Sequence, residues 1–122
     1  MENPTIESRK TYEVAHKHNK PIIVMEPVKG GNLVKLPADA QKAFDKVNQA
    51  ENTHMSNASY AIRYVAGNEN VAVVLSGMSN MEQMRDNVSY MKDFKPLTDT
   101  EKAAIDKVVD VFNHLDMIDC TS

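Results

Sequence analysis

The sequence predicts an α/β fold in which helices flank a parallel sheet, and three observations predict it. Two short apolar runs, IIVM after Pro21 and VAVVL from Val71 to Leu75, are rich in β-branched residues and lack alternating polar positions, the pattern of strands covered on both faces. Segments of helical composition precede, separate and follow these runs, giving the order α, β, α, α, β, α, α. At 122 residues the chain forms a single domain over residues 1–122, well short of the roughly 250 that a closed barrel of eight strand-helix units takes. Two buried-type strands are marginal alone, so the pair reads as a segment of a larger closed sheet.

Each element has a local reason. Asn3 before Pro4 marks a helix start, because asparagine caps free amides and proline suits the first turn. Glu7 then sits favourably against the helix dipole, and this helix is expected to run to about Asn19. Pro21 opens the first strand, which is followed by a loop and not by a hairpin turn. Ala38 to Ala50 is helical in composition but weakly patterned. The polar break NTHMSN supplies caps for a helix from about Asn57 to Ala66, with Ile62 and Val65 facing inward. After the second strand, Met81, Met84, Val88 and Met91 recur at helical spacing, and core packing is the reading preferred over a soft partner-binding groove. Thr98 with Glu101 forms a capping box ahead of a last helix, whose stripe is Ile105, Val108, Val109 and Phe112.

Composition excludes several functions. A net charge of -3, from 17 acidic and 14 basic residues, gives no field to attract nucleic acid or an anionic membrane. No run approaches the roughly 18 consecutive apolar residues of a membrane span, and the start MENPTIESRK has no signal-peptide core, so a cytoplasmic chain is expected. Cys120, the lone cysteine, makes neither an internal disulfide nor a metal site by itself. His16 and His18, two apart on a helix, face different ways, and His54 and His114 lack a ligand pattern, so no metal site is expected. Tyr12, Tyr60, Tyr64 and Tyr90 all fall in predicted helices and carry no assigned catalytic role.

The two strand ends carry the chemistry. After Leu75, the loop SGMSN leads into a helix whose start is marked by Ser79 with Glu82 three residues on, a capping box that leaves free amides pointing outward. Such an end attracts anions, and Gly77 allows close approach of a ligand to the backbone. Lys29, Gly30 and Gly31, after the other strand, supply a cation and two permissive glycines. In barrels of alternating strands and helices, the loops after strands seven and eight often form a phosphate site. The plain alternative stays open: any such junction needs a turn and a cap, and Lys29 reads equally as a solvated loop charge.

The pattern Gly77, Asn80, Glu82, Gln83 and Asn87, directly after a strand, resembles the eighth strand and following helix of the aldo/keto reductases. VMEPVKGGNL is similar to that family's seventh strand and its loop, with Pro27 in the proline position. Together with YEVAHKHNKPIIVMEPVKGG and LSGMSNMEQMRDNVSYMKDFKPL, the resemblance covers most of the chain.

The resemblance implies the C-terminal portion of a (β/α)8 TIM barrel, strands seven and eight with flanking helices, as an incomplete barrel. It implies an oxidoreductase that reduces carbonyls or oxidises alcohols with NADP(H) or NAD(H) lying across the strand ends. Carried over by position, Val28, Lys29 and Gly30 lie along the pyrophosphate, while Gly77, Ser79, Gln83 and Asn87 lie near the adenosine. Ser79, Gln83 and Asn87 recur every four residues, so one helix face could present a hydroxyl and two amides. Glu26 stands where a small serine is common, and pairing with Lys29 would offset its repulsion of a pyrophosphate. Gly77 and Met78 offer no basic group for a 2'-phosphate.

The family's catalytic Asp, Tyr, Lys and His belong to the first four strands, which are not among these residues, so the chain alone is expected to be inactive. Met1 then reads as an internal methionine taken as a start, and the chain as a truncated product, a deliberately excised part or a mis-assigned reading frame. The tail IDCTS resembles the point where a cysteine-rich, iron-sulfur-type segment begins in one bacterial branch, although Cys120 alone cannot hold a cluster that needs four thiolates. The other function weighed is a self-associating or nucleotide-binding module, whose strand edges pair with another copy or with a missing half-barrel.

Overall fold

The computed structural model describes residues 7–114. Its elements follow the predicted order: α1 (Ser8–Lys17), β1 (Ile22–Met25), α2 (Ala38–Ala50), α3 (Asn57–Ala66), β2 (Val71–Leu75), α4 (Met81–Lys92) and α5 (Asp99–His114). A 3-10 turn over Lys29–Gly31 follows β1.

The first helix is shorter than expected at both ends. Glu7 is left-handed at φ 48°, outside the helix; its carbonyl accepts from the Thr11 amide and its carboxylate meets Lys10 Nζ at 2.7 Å. At the other end Asn19, at φ 49°, stops the helix after Lys17, since asparagine tolerates the left-handed turn that ends helices. Asn3, Pro4 and Met1, and at the other terminus Cys120, lie outside the described residues. Glu69, in the turn before β2, ties α1 down: its carbonyl accepts from the Tyr12 hydroxyl at 3.1 Å and its carboxylate meets His16 Nε2 at 2.7 Å.

The strands pair in parallel, with Ile22 opposite Val71, Ile23 opposite Val73, Val24 opposite Val74 and Met25 opposite Leu75, and a register shift after Ile22. Side chains alternate across a strand, so Ile23 and Met25 share one face with Val73 and Leu75. That face is open, its four side chains being 44% to 71% exposed, whereas Ile22, Val24 and Val74 on the other face are half-buried. The expectation of cover on both faces is therefore corrected: among the described residues, helices screen one face only. Two strands cannot close over themselves.

The hydrophobic core lies between helices. Ala40, Phe44 and Val47 of α2 interlock with Ala104, Val108 and Phe112 of α5, joined by Tyr60 of α3 and Leu97. Phe44 and Tyr60 stack with ring centroids 4.1 Å apart. Ile105 and Val109 flank the α5 stripe half-buried; on α3, Ile62 is buried and Val65 half-buried. Ser56 caps α3 by accepting the Ser59 amide at 3.1 Å, as the polar break before it leads one to expect.

Two polar clusters hold this layer together. Asn48 Oδ1 accepts from the Thr53 hydroxyl, the Met55 amide and the Tyr60 hydroxyl, and Asn48 Nδ2 donates to the Met55 carbonyl. Arg63 and Glu101 form the other, joined by the predicted Thr98 capping box: the Glu101 amide donates to Thr98 Oγ1 and the Thr98 amide to Glu101 Oε2.

The methionine stripe is the main surprise. Met81, Met84, Val88 and Met91 are 37% to 60% exposed, and the buried residue of α4 is Tyr90. Periodicity marks the apolar face; the neighbour is what differs. α4 turns its Asp86 side to α3, where Ser56 Oγ donates to Asp86 Oδ2 at 2.6 Å, and its apolar stripe away from it.

Candidate functional site

Because β1 and β2 run parallel with Met25 opposite Leu75, the loops that leave them emerge at one end of the sheet. The structure thus brings the predicted residues of both loops to the same edge.

The first loop turns sharply. Glu26, Lys29, Gly30 and Gly31 all have positive φ, at 54°, 47°, 61° and 91°. The Lys29 amide donates to the Glu26 carbonyl at 3.0 Å, and Val28 O accepts from the amides of Gly31 and Leu33. Pro27 is buried and anchors the turn, while Lys29 and Gly30 are exposed. A Cβ built on Gly30 or Gly31 would meet nothing within 4 Å, so these glycines are needed for backbone shape, and the space above them is open. The expected pairing of Glu26 with Lys29 is not found among the described residues; only their backbones bond.

The second loop is capped one residue later than expected. Asn80, not Ser79, is the cap of α4: Asn80 Oδ1 accepts the Gln83 amide at 2.9 Å. Gln83 reaches back, its Oε1 accepting from the Ser79 amide at 2.8 Å and from the Ser79 hydroxyl at 3.2 Å. SNMEQ contains two overlapping box patterns, Ser79 with Glu82 and Asn80 with Gln83; the chain uses the Asn80 cap of the second, while the Gln83 side chain returns to the amide of Ser79 and not to that of Asn80. Its physical advantage is a side chain that satisfies the backbone amide on each side of the turn.

Ser79 and Gln83 are therefore together, but Ser79 precedes the helix and does not lie on its face. Asn87, a turn beyond Gln83, bonds elsewhere: its Nδ2 donates to Ser76 Oγ at 3.1 Å, and its Oδ1 accepts from the Tyr90 hydroxyl. Burial, and next the Asp86 carboxylate, push the Tyr90 pKa well above the ordinary tyrosine value, so this hydroxyl keeps its proton. Gly77 is exposed, and a Cβ there would meet nothing within 4 Å. Ser76 and Tyr90 had no signal in the sequence beyond their polar atoms, since each acts through a partner eleven or three residues from it.

The Aldo/keto reductase family model matches residues 3–110. The chain belongs to the aldo/keto reductase family. No curated protein and no solved structure matches it. Family membership makes this an oxidoreductase-family chain, with a barrel fold and nicotinamide dinucleotide binding as the family's general properties. The described part of this aldo/keto reductase chain contributes two adjacent parallel strands and five helices. None of its described helices is long and apolar enough to cross a membrane.

Proposed function

We propose that this chain supplies the nucleotide-binding end of an NAD(P)H-dependent aldo/keto reductase barrel, as its C-terminal strands seven and eight. What supports the reading is the shared end: the two loops, both inside the residues that match the family, leave neighbouring parallel strands at the same end of the sheet.

The residues present fit a dinucleotide. Open space lies over Gly30, Gly31 and Gly77, where a phosphate or ribose can approach the backbone, and the exposed Lys29 brings a positive charge to the same loop. Val28, Lys29 and Gly30 would hold the pyrophosphate side. Ser79, Gln83 and Asn87 would meet the adenosine side, Gln83 through its Nε2 because its Oε1 is engaged by Ser79. The bound nicotinamide supplies a hydride for carbonyl reduction. The chain's own residues bind and orient; the catalytic Asp, Tyr, Lys and His of the family would come from elsewhere, in a cytoplasmic enzyme. We expect no turnover by this chain alone. An iron-sulfur segment after the barrel belongs only to a longer parent.

Titrating the 122-residue chain with NADPH and with NADH tests this. Saturable binding of either at micromolar concentration supports it, and the ratio gives the cofactor preference. No binding of either removes the reading.

One observation favours a second reading, a self-associating module. Ile23, Met25, Val73 and Leu75 present an apolar sheet face to solvent beside unpaired strand edges. Sedimentation that depends on concentration, without nucleotide binding, would select it.

A further inference from the structure

Asn87 is gripped from two sides. Tyr90, three residues on in α4 and only 6% exposed, donates its hydroxyl proton to Asn87 Oδ1, while Asn87 Nδ2 donates to Ser76 Oγ at 3.1 Å. Ser76 follows the last residue of β2, so this relay joins the middle of α4 to the strand end from which the second loop springs. A free carboxamide turns readily, exchanging its donor and acceptor ends. Here a buried phenol at one end and a serine hydroxyl at the other hold the plane of the carboxamide in place.

The geometry points to Tyr90 as a positioning residue that sets the Asn87 amide for the adenosine end of a nicotinamide dinucleotide. A carboxamide carries two N–H protons and two lone pairs; the relay engages one of each, leaving one proton and one lone pair for a ligand. The orientation is set on folding, so binding loses less rotamer freedom than a mobile asparagine would cost. Neither the family motif nor the loop pattern marks Tyr90, which is 6% exposed and has its hydroxyl engaged by Asn87. This inference rests on the nucleotide reading above and adds to it the residue that makes Asn87 a fixed contact.

The test is a double-mutant cycle on the full chain, with NADPH and NADH as the titrants. Tyr90→Phe removes the hydroxyl and keeps the ring, and should weaken binding by about three- to tenfold, the worth of one hydrogen bond. In the Asn87→Ala background the same change should do nothing further, because the residue through which Tyr90 acts is gone. A merely structural role would weaken binding equally in both backgrounds. Ser76→Ala, which frees the other end of the amide, should show the same dependence on Asn87 and serves if Tyr90→Phe does not fold. Unchanged affinity, or an equal loss in both backgrounds, overturns the positioning role and leaves the nucleotide reading intact. If the unaltered chain binds neither dinucleotide, the nucleotide reading falls and takes this inference with it.

Discussion

The guanidinium of Arg63 and the carboxylate of Glu101 meet as a two-pronged pair, Nη1 to Oε1 at 2.8 Å and Nη2 to Oε2 at 2.9 Å, with both side chains 4% exposed. The pair joins α3 to the start of α5, and Arg63 also donates to the carbonyls of Lys95 and Pro96. Four of the five N–H groups of the fork thus meet oxygens of the connection before α5 or of its first turn, which fixes how α5 approaches the rest of the core.

Removing one partner should therefore cost more than removing both. Arg63→Met leaves a buried carboxylate without its counter-charge and should lose about 3–5 kcal/mol in urea unfolding. The double change Arg63→Met with Glu101→Leu should recover much of that loss. A double variant as unstable as the single one would show that the pair's backbone bonds, and not its charges, hold the connection.

The cap of α4 separates two neighbouring residues. Asn80→Ala should destabilise by about 1 kcal/mol, whereas Glu82→Ala should stay within about 0.5 kcal/mol, measured as midpoint shifts on thermal or urea unfolding. The reverse order would restore the Ser79 with Glu82 box.

Asn48 is the second stability site. Asn48→Ala strands the Tyr60 hydroxyl and the Met55 amide and carbonyl, and a loss of about 2–4 kcal/mol is expected, against about 1 kcal/mol for Tyr60→Phe. Equal losses would place the energy in the tyrosine bond alone.

Alkaline pH provides a further test. Burial, then the carboxylates of Glu101 and Glu51, push Tyr60 up to about 12 from 10.0, and Tyr90 is raised in the same direction. A folded pKa above the unfolded one means that the unfolded chain releases its proton first. The stability is fully present below pH 10 and is lost as pH rises towards 12. Unfolding midpoints measured across that range should fall, and Tyr60→Phe should flatten the slope. A slope that Tyr60→Phe leaves unaltered would assign the effect to other groups.

Much of this fold is legible in the sequence, for reasons that differ by element. IIVM and VAVVL are strands at their expected ends because each is a continuous β-branched run bounded by polar turn residues. The caps at Ser56 and Thr98 are readable because each acts within three residues. The Asn48 cluster is not, since its partners lie five to twelve residues away in a geometry that only the fold creates. The stripe of Met81, Met84, Val88 and Met91 marks one apolar helix face correctly, but spacing along a helix carries no information about what lies opposite. At the candidate site, Lys29, Gly30, Gly77 and Ser79 are legible as loop and cap residues at the two strand ends, Val28, Gln83 and Asn87 only through the family resemblance, and the bonds of Ser76 and Tyr90 to Asn87 only in the folded strand-helix junction.

The core of this chain lies away from its sheet, and that has a kinetic meaning. Backbone amides of α2 and α5, locked around Phe44, Val108 and Phe112, should exchange with deuterium slowest, while those of β1 and β2, with one face wet, open first. The loops that would meet a nucleotide thus hang from the part of the molecule that breathes most, and an occupant there would slow hydrogen exchange in the strands before it slowed it anywhere in the helical layer.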